Sequence, residues 1–404
     1  MIHTVEVEVA GQLIQIETGR VAKQANGAVL VRSGDTIVLC TATMSRDART
    51  DIDFFPLVVD YEERKYSVGK IPGGFIKRGG RPSDKAVLTA RLIDRPLRPL
   101  FPSGMRNEVQ VIAMPLSVDN DHLPDVLSII GASAALTVSN IPFNGPVGAV
   151  RIGKVNGEFV INPSFDQVEN GELDLVVAGT KDYIVMVEAG ANEISEAEIL
   201  EALDLAHEHI KPICAVQEEL AAKVGTTKAD IPFYAVPEDI LARVREQFAE
   251  QVLQAIQQPD KSAREEAIEL LKEEIVQALL PEYPEQETDL REAADKVVKE
   301  QVRRLILEYK VRPDGRKYDE IRPISCMVGL LPRVHGSALF TRGQTQVLTS
   351  VTLGPMEEAQ IIDTLEEDGF KRYMHFYNFP PYSVGETRPL RGPGRREIGH
   401  GALA

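Results

Sequence analysis

The stretch GAVLVRSGDTIVLCTAT, residues Gly27–Thr43, recurs as GSALFTRGQTQVLTSVT, residues Gly336–Thr352, and this repeat decides the fold class. The two stretches align without gaps. The first stretch is one of the short, β-branched runs with glycine turns that predict strands, and the second lies where this β pattern returns. The identical pairs are Gly27/Gly336, Leu30/Leu339, Gly34/Gly343, Thr36/Thr345, Val38/Val347, Leu39/Leu348 and Thr43/Thr352.

A second match follows the first in the same order. The motif YSVG stands at residues 66–69 and again at 382–385, and a loop of Gly, Pro and Arg comes after each. These loops are GGFIKRGGRPS, residues 73–83, and ETRPLRGPGRREIGHG, residues 386–401. Two ordered matches indicate a duplicated domain. Because the second copy stops at Ala404 soon after its loop, we expect a truncated second core and a chain that is a fragment, with apolar surface left uncovered.

The pattern of strands and helices divides the chain into three parts. Residues 1–235 mix short β-branched runs with helical runs, one of them starting at Ser83 as N-cap, which predicts an α/β or α+β domain. Residues 236–307 contain only three helical runs, and residues 308–404 return to the β pattern. We therefore predict two cores of the α/β or α+β class separated by an all-α domain.

Composition narrows the class of protein. The chain is 43% hydrophobic and 26% charged, which is typical of a globular protein. It has no apolar run long enough for a membrane span and no signal-peptide pattern, so we expect a cytoplasmic protein with no membrane partner. Three widely spaced cysteines, Cys40, Cys214 and Cys326, fit no metal pattern and are predicted to be core residues.

The net charge of −16 hides a local basic stripe. Between Arg64 and Arg98 there are ten Lys or Arg and only two acids, whereas acids concentrate between residues 236 and 300. Such a stripe on an acidic protein favours a site for a polyanion. The alternative is a solvated basic face.

The first glycine loop has the chemistry of a phosphate site. Glycines let the backbone approach an anion, and the loop leads into the helix N-terminus at Ser83. Lys77, Arg78 and Arg81 supply positive charge, and Phe75 offers a surface for base stacking. Further along, Arg91, Arg95 and Arg98 either extend this basic face or form structural ion pairs with Asp94 and nearby acids.

The second loop has the same character. Arg395 and Arg396 follow RGPG at a predicted helix start and suit a phosphate clamp, while His400 is either a proton donor or a structural histidine. The sequence contains no P-loop, dinucleotide fingerprint, HExxH, paired CxxC or supported Ser-His-Asp set. Arginines with glycine loops are the remaining route to phosphate chemistry.

Longer motifs carry a family resemblance. The stretch DFFPLVVDYEERKYSVGKIPGGFIKRGGRPSDKAVLTARLIDRPLRPLFP, residues 53–102, resembles the first core of bacterial polynucleotide phosphorylases. HGSALFTRGQTQVL, MHFYNFPPYSVGE and RREIGHGALA resemble the second core. The resemblance covers essentially the whole chain and implies two RNase PH-like (ribosomal S5 domain 2-like) cores around an all-α domain.

The resemblance also implies a function. Members of this family (polyribonucleotide nucleotidyltransferases) form ring-shaped homotrimers and degrade single-stranded RNA in the 3′→5′ direction. Inorganic phosphate attacks the terminal linkage and nucleoside diphosphates leave, in a reversible reaction that serves mRNA decay. Mg²⁺ or Mn²⁺ assists, with ligands expected beyond Ala404, so the chain alone is expected to be inactive.

Individual residues are assigned by their match to the family motifs. Phe75, Lys77, Arg78 and Arg81 match the loop that grips RNA. The family commonly has two aromatics and two arginines there, so Ile76 and Lys77 imply a weaker grip.

Arg395, Arg396 and His400 match the phosphorolytic site of the second core, and no metal ligand is assigned in this chain. Two other functions stay open: a catalytically silent RNA-binding ring subunit, and a binder of small phosphates or nucleotides.

Overall fold

The computed structural model describes residues 1–366 and 368–404, which form two compact units. The first unit combines Met1–Tyr234 with Glu358–Ala404, and the second comprises Ala235–Glu357. The domain boundaries drawn from the sequence, after residues 235 and 307, stay predictions beside this division.

Two sheets form the framework of the first unit. The six-stranded sheet has the order β1-β2-β3-β4-β6-β5, in which only β5 and β6 run parallel. Its strands are β1 His3–Val9, β2 Gln12–Thr18, β3 Gly27–Ser33, β4 Thr36–Ala48, β5 Leu57–Tyr61 and β6 Asn107–Ser117. The second sheet is antiparallel, with the order β10-β9-β7-β8. Its strands are β7 Gly148–Val155, β8 Glu158–Ile161, β9 Leu173–Gly179 and β10 Ile184–Ala191.

One helix fills the space between the sheets. The helices of residues 1–234 are α1 Asp84–Leu97, α2 Pro124–Val138, α3 Phe165–Glu169 and α4 Glu196–Val224. Almost all of α2 is buried, and it packs on β3, β4 and β6 on one side and on β7 and α4 on the other. Its small and apolar residues permit this close packing on all sides. The helices predicted from the sequence in this region are confirmed, including α1 with Ser83 as its N-cap.

The second unit begins with three helices that pack on one another. They are α5 Glu238–Ala255, α6 Lys261–Leu279 and α7 Glu287–Leu307, and their apolar stripes are buried at Ile240, Val244, Ile275 and Val297. This confirms the three predicted helical runs. A three-stranded sheet completes the unit, with β11 Ile324–Val328, β12 Gly336–Arg342 and β13 Thr345–Val351. The remaining elements belong to the first unit: β14 Gln360–Asp363, β15 Asp368–Lys371 and α8 Arg395–Leu403.

The sequence repeat is also a structural repeat. Hairpins β3–β4 and β12–β13 have the same register, since Ser33 pairs with Thr36 as Arg342 pairs with Thr345. Each YSVG motif forms a short 3₁₀ helix that ends on a left-handed glycine, with φ of 69° at Gly69 and 72° at Gly385. Glycine suits both positions because a Cβ disfavours this conformation.

The two copies differ in what covers them. Helix α2 buries one face of β3–β4, but β12 is only partly buried and β13 is exposed, and no helix of their unit covers them within the described residues. The prediction that all three cysteines are core residues is therefore wrong for Cys326, which lies exposed on β11 of this uncovered sheet. Cys40 and Cys214 are buried as predicted.

Candidate functional site

The first glycine loop, residues 73–83, is exposed along almost its whole length. Phe75 is fully exposed, and Lys77 has a positive φ of 54°, in a tight turn where its N–H donates to the Gly74 carbonyl at 3.1 Å. The side chains of Lys77 and Arg78 make no hydrogen bond or ion pair with any described residue. Their charges are therefore available to a partner from solution.

Ser83 ends this loop and starts helix α1. Its Oγ accepts the Ala86 N–H at 3.0 Å and donates to the Glu63 carboxylate at 2.6 Å. The loop thus leads into an ordered helix N-terminus, whose backbone dipoles favour negative charge nearby.

The second loop also leads into a helix N-terminus. Helix α8 begins at Arg395 after Gly394, and the Glu397 carboxylate accepts the backbone N–H groups of Gly394 at 2.8 Å and Phe379 at 2.9 Å. These two hydrogen bonds, that of Gly394 first, hold the pKa of Glu397 below its usual range. Glu397 therefore fixes the start of the helix that carries the two predicted arginines.

The two arginines at the start of α8 have different surroundings. Arg395 Nη1 donates to the Val59 carbonyl at 2.6 Å, and Arg395 Nη2 forms an ion pair with Asp60, both on strand β5. The Arg396 side chain has no hydrogen bond or ion pair with the described residues. Arg395 is anchored to the first copy, while Arg396 is free to bind an anion.

His400 lies on the exposed side of α8. The edge of its ring meets the ring of Tyr377, with 4.0 Å between the centroids. This contact orients the imidazole and leaves it accessible to solvent.

Two close contacts bring the two glycine loops together within the first unit. A Cβ built on Gly392 would lie 3.1 Å from Nη1 of Arg81. A Cβ built on Gly399 would lie 2.7 Å from both Cδ and Nε of Arg91, so helix α1 approaches α8 where α8 has no side chain. Predicted site residues from both copies therefore share one surface. Phe75, Lys77 and Arg78 lie on the same loop as Arg81, and this loop is what connects them to the shared surface.

Arg95 of α1 and Arg98, which directly follows this helix, are structural. Arg95 forms an ion pair with Glu188 and donates to the Val187 carbonyl at 2.8 Å. Arg98 pairs with Asp94 at 2.6 Å and donates to the Leu57 carbonyl at 3.0 Å. Of the two readings that the sequence left open, structural pairing holds for Arg95 and Arg98. Arg91, which packs on α8, forms no ion pair with a described residue.

Lysine contacts that sequence reasoning missed fasten hairpin β14–β15 to the first copy. Lys65 Nζ bonds the Asp363 carboxylate at 2.5 Å and the Thr364 carbonyl at 2.8 Å, and Lys70 pairs with Asp368. The partners lie about three hundred residues apart in sequence, so no local pattern signals these contacts.

A buried charge cluster lies at the end of this hairpin. Lys85 pairs with Glu366 at 3.2 Å and lies 3.7 Å from Asp125, which Arg151 contacts at 2.5 Å. Arg151 also pairs with Asp174 at 2.5 Å. Burial, together with the charge of Asp125, raises the pKa of Glu366. Burial also disfavours ionised Asp125, but Arg151 and Lys85 outweigh it and lower the pKa of Asp125.

The described residues provide no metal centre of the usual kind. No group of three or more His, Cys, Asp or Glu side chains among residues 1–366 and 368–404 is arranged to hold a metal ion. In the same part of the chain, no helix combines the length and the apolar character needed to cross a membrane.

Three family models match the chain. The model described as "3′ exoribonuclease family, domain 1" matches residues 11–142 and 320–404, and "domain 2" of that family matches residues 145–209. The model described as "Polyribonucleotide nucleotidyltransferase, RNA binding domain" matches residues 239–317. The same model thus matches on both sides of the helices, which confirms the predicted duplicated cores and the helical region between them.

Curated relatives agree with these matches. The chain is 59% identical over 398 residues to a polyribonucleotide nucleotidyltransferase of Heliobacterium modesticaldum, covering 98% of this chain and 56% of that protein. Proteins of the same name from Geobacillus kaustophilus and Anoxybacillus flavithermus are 57% and 58% identical, over 98% and 99% of this chain and 55% and 57% of theirs. The chain spans little more than half the length of these relatives.

Proposed function

Because the chain belongs to the 3′ exoribonuclease family, we propose that its protein degrades single-stranded RNA from the 3′ end by phosphorolysis. An oxygen of inorganic phosphate attacks the phosphorus of the terminal phosphodiester, the 3′ oxygen of the shortened RNA leaves and takes a proton, and a nucleoside diphosphate is released. The proposal includes the reverse polymerisation, a role in mRNA decay, a homotrimeric ring and a cytoplasmic location. The observation that carries it is the meeting of two basic glycine loops on one surface.

The proposed roles follow from the chemistry of these side chains. Phe75 stacks on a base, and Lys77, Arg78 and Arg81 hold the RNA backbone. Arg395 and Arg396 bind the attacking phosphate and the scissile linkage, and His400 donates a proton or hydrogen bond to the leaving oxygen. Phosphoryl transfer depends on positioning and charge neutralisation more than on a protein nucleophile, so arginines suit the task.

A divalent ion, Mg²⁺ or Mn²⁺, belongs to the proposal for the whole protein, where it neutralises charge on the reacting phosphate. Among residues 1–366 and 368–404, no group of three or more His, Cys, Asp or Glu side chains is arranged to hold such an ion, so no ligand is assigned to it in this chain. The roles assigned above depend on the side chains of this chain alone.

The reaction is tested on the intact gene product. With uniformly labelled RNA and inorganic phosphate we expect labelled nucleoside diphosphates, and none when phosphate is left out. Release of nucleoside monophosphates in the absence of inorganic phosphate would mean that the reaction is hydrolysis and not phosphorolysis. RNA binding without any release would favour the silent ring subunit.

The RNA contact is tested separately, by oligonucleotide binding to the 404-residue chain at several salt concentrations. Replacing Arg78 with Ala should weaken binding and flatten the plot of log K against log salt by about 0.7 for each lost phosphate contact. The control is Lys23→Ala. Lys23 is an exposed basic residue on the β2–β3 connection, and β3 lies three strands away in the sheet from β5, the strand that contacts Arg395. Equal effects of the two substitutions on binding would show that residues 73–83 do not form part of the RNA site. No affinity for RNA at all would favour the binder of small phosphates.

A further inference from the structure

Strand β5 of the first copy holds a side chain of the second copy. The guanidinium of Arg395 donates to the Val59 carbonyl at 2.6 Å and forms an ion pair with Asp60, 335 residues upstream. Both contacts lie within the first unit, where β5 is the edge strand of the six-stranded sheet.

Asp60 is itself held in place. Its second carboxylate oxygen accepts the Gln110 side-chain N–H at 3.0 Å, from the neighbouring strand β6. The Asp60 side chain is only 17% exposed, so its rotamer is fixed by packing as well as by these bonds. A carboxylate restrained on both sides is a rigid support for the arginine that it contacts.

The ion pair with Asp60 leaves hydrogen-bond donors of Arg395 available to a ligand. A guanidinium has five N–H donors, and the two contacts with β5 use two of them. The Arg395 side chain is 49% exposed, so its other donors remain open to a phosphate oxygen. Arg396, the next residue, has no partner among the described residues and so lacks such a support.

We propose that Asp60 is a positioning residue for Arg395, so that the first copy orients a phosphate-binding side chain of the second copy. This inference rests on the proposed function for the role of Arg395. Asp60 acts through Arg395 and does not contact the substrate. Since a carboxylate–guanidinium pair with a second hydrogen bond fixes direction as well as distance, its loss leaves Arg395 present but misdirected.

The test is a double-mutant cycle of Asp60→Asn and Arg395→Gln, read out by oligonucleotide binding to the 404-residue chain. Each substitution should weaken binding several-fold, and Asp60→Asn should have no further effect once Arg395 is replaced. Asp60→Glu should restore part of the affinity. The control is Asp368→Asn, which breaks another ion pair between the copies, that with Lys70, and should leave binding unchanged.

The same variants of the intact gene product supply a kinetic readout. Asp60→Asn should raise KM for inorganic phosphate about tenfold, equivalent to about 1.4 kcal/mol, with the urea midpoint of unfolding close to that of Asp368→Asn. Additive effects of Asp60→Asn and Arg395→Gln, or equal effects of Asp60→Asn and Asp368→Asn, would overturn the proposal. A wild-type protein without phosphorolysis would instead overturn the proposed function, and the binding cycle would still decide the role of Asp60.

Discussion

Ser83 joins the first basic loop to the helix behind it, through one hydroxyl that both accepts and donates a hydrogen bond. Replacing Ser83 with Ala leaves the Ala86 N–H without this partner. We expect the free energy of unfolding to fall by about 1 kcal/mol, measured by urea denaturation. Ser83→Thr keeps a hydroxyl and should retain most of the stability. An unchanged urea midpoint for Ser83→Ala would show that the cap contributes nothing.

The start of α1 was predictable because capping depends on residues next to one another in sequence. The roles of the arginines on the same helix were not. Arg95 finds Glu188 and Arg98 finds the Leu57 carbonyl, partners that lie far away in sequence. Arg91 instead packs on Gly399. Arg91 and Arg95 on α1 and Arg98 directly after it therefore differ mainly through tertiary contacts, which periodicity does not report.

At the scale of elements, the repeated hairpin provides a matched pair of positions. Val38 on β4 is completely buried under α2, whereas its counterpart Val347 on β13 is 47% exposed. Val38→Ala removes two buried methyl groups and should lower the free energy of unfolding by about 2 kcal/mol. Val347→Ala should change it by less than about 0.5 kcal/mol.

Urea denaturation of the two alanine variants measures this difference. Equal losses of stability would mean that the side chain of Val347 on β13 is buried in solution to the same extent as that of Val38 on β4. The strand-rich character of both copies was predictable, because β-branched runs and turn glycines are local signals. The difference in burial was not, because it depends on a helix that packs from elsewhere in the chain.

At the scale of the whole molecule, the buried cluster around Lys85 joins residues from both copies. The raised pKa of Glu366 means that the folded protein favours its protonated form. Stability from this group is present below its unfolded pKa and is lost as pH rises through the folded pKa. Asp125, with a lowered pKa, behaves in the opposite way and stabilises the fold until pH falls through its folded pKa.

These opposite shifts predict different costs for two similar substitutions at neutral pH. Asp125→Asn leaves the buried Arg151 short of a counter-charge and should cost about 3 kcal/mol or more. Glu366→Gln removes a carboxylate that is unfavourable there and should change stability by no more than about 1 kcal/mol. As pH is lowered from 7.5 to 5, the wild type should gain stability relative to Glu366→Gln, measured by urea midpoints. A loss of stability of the wild type relative to Glu366→Gln over this pH range would contradict the raised pKa of Glu366.

The duplicated cores, the helices between them and the basic loops were predictable from the sequence, but the placement of residues 358–404 was not. The sequence pattern predicts residues 308–404 as one segment, and those boundaries stay predictions. In the structure, Glu358–Ala404 belongs to the same compact unit as Met1–Tyr234. Lysine–carboxylate pairs such as Lys65–Asp363 hold it there, and pairing across such a separation has no signature in a single sequence.

The contact of Arg395 with Asp60 has a consequence for how the two halves diverge. In an ancestor with one copy, the same contact would have needed a second molecule, and its occupancy would have depended on concentration. Fusion in tandem makes the encounter intramolecular, at an effective concentration set by the connecting chain. Selection then acts on both partners within one gene. The two copies can then take different roles, one positioning the arginine and the other supplying it. Each copy must still keep the residue that its counterpart contacts.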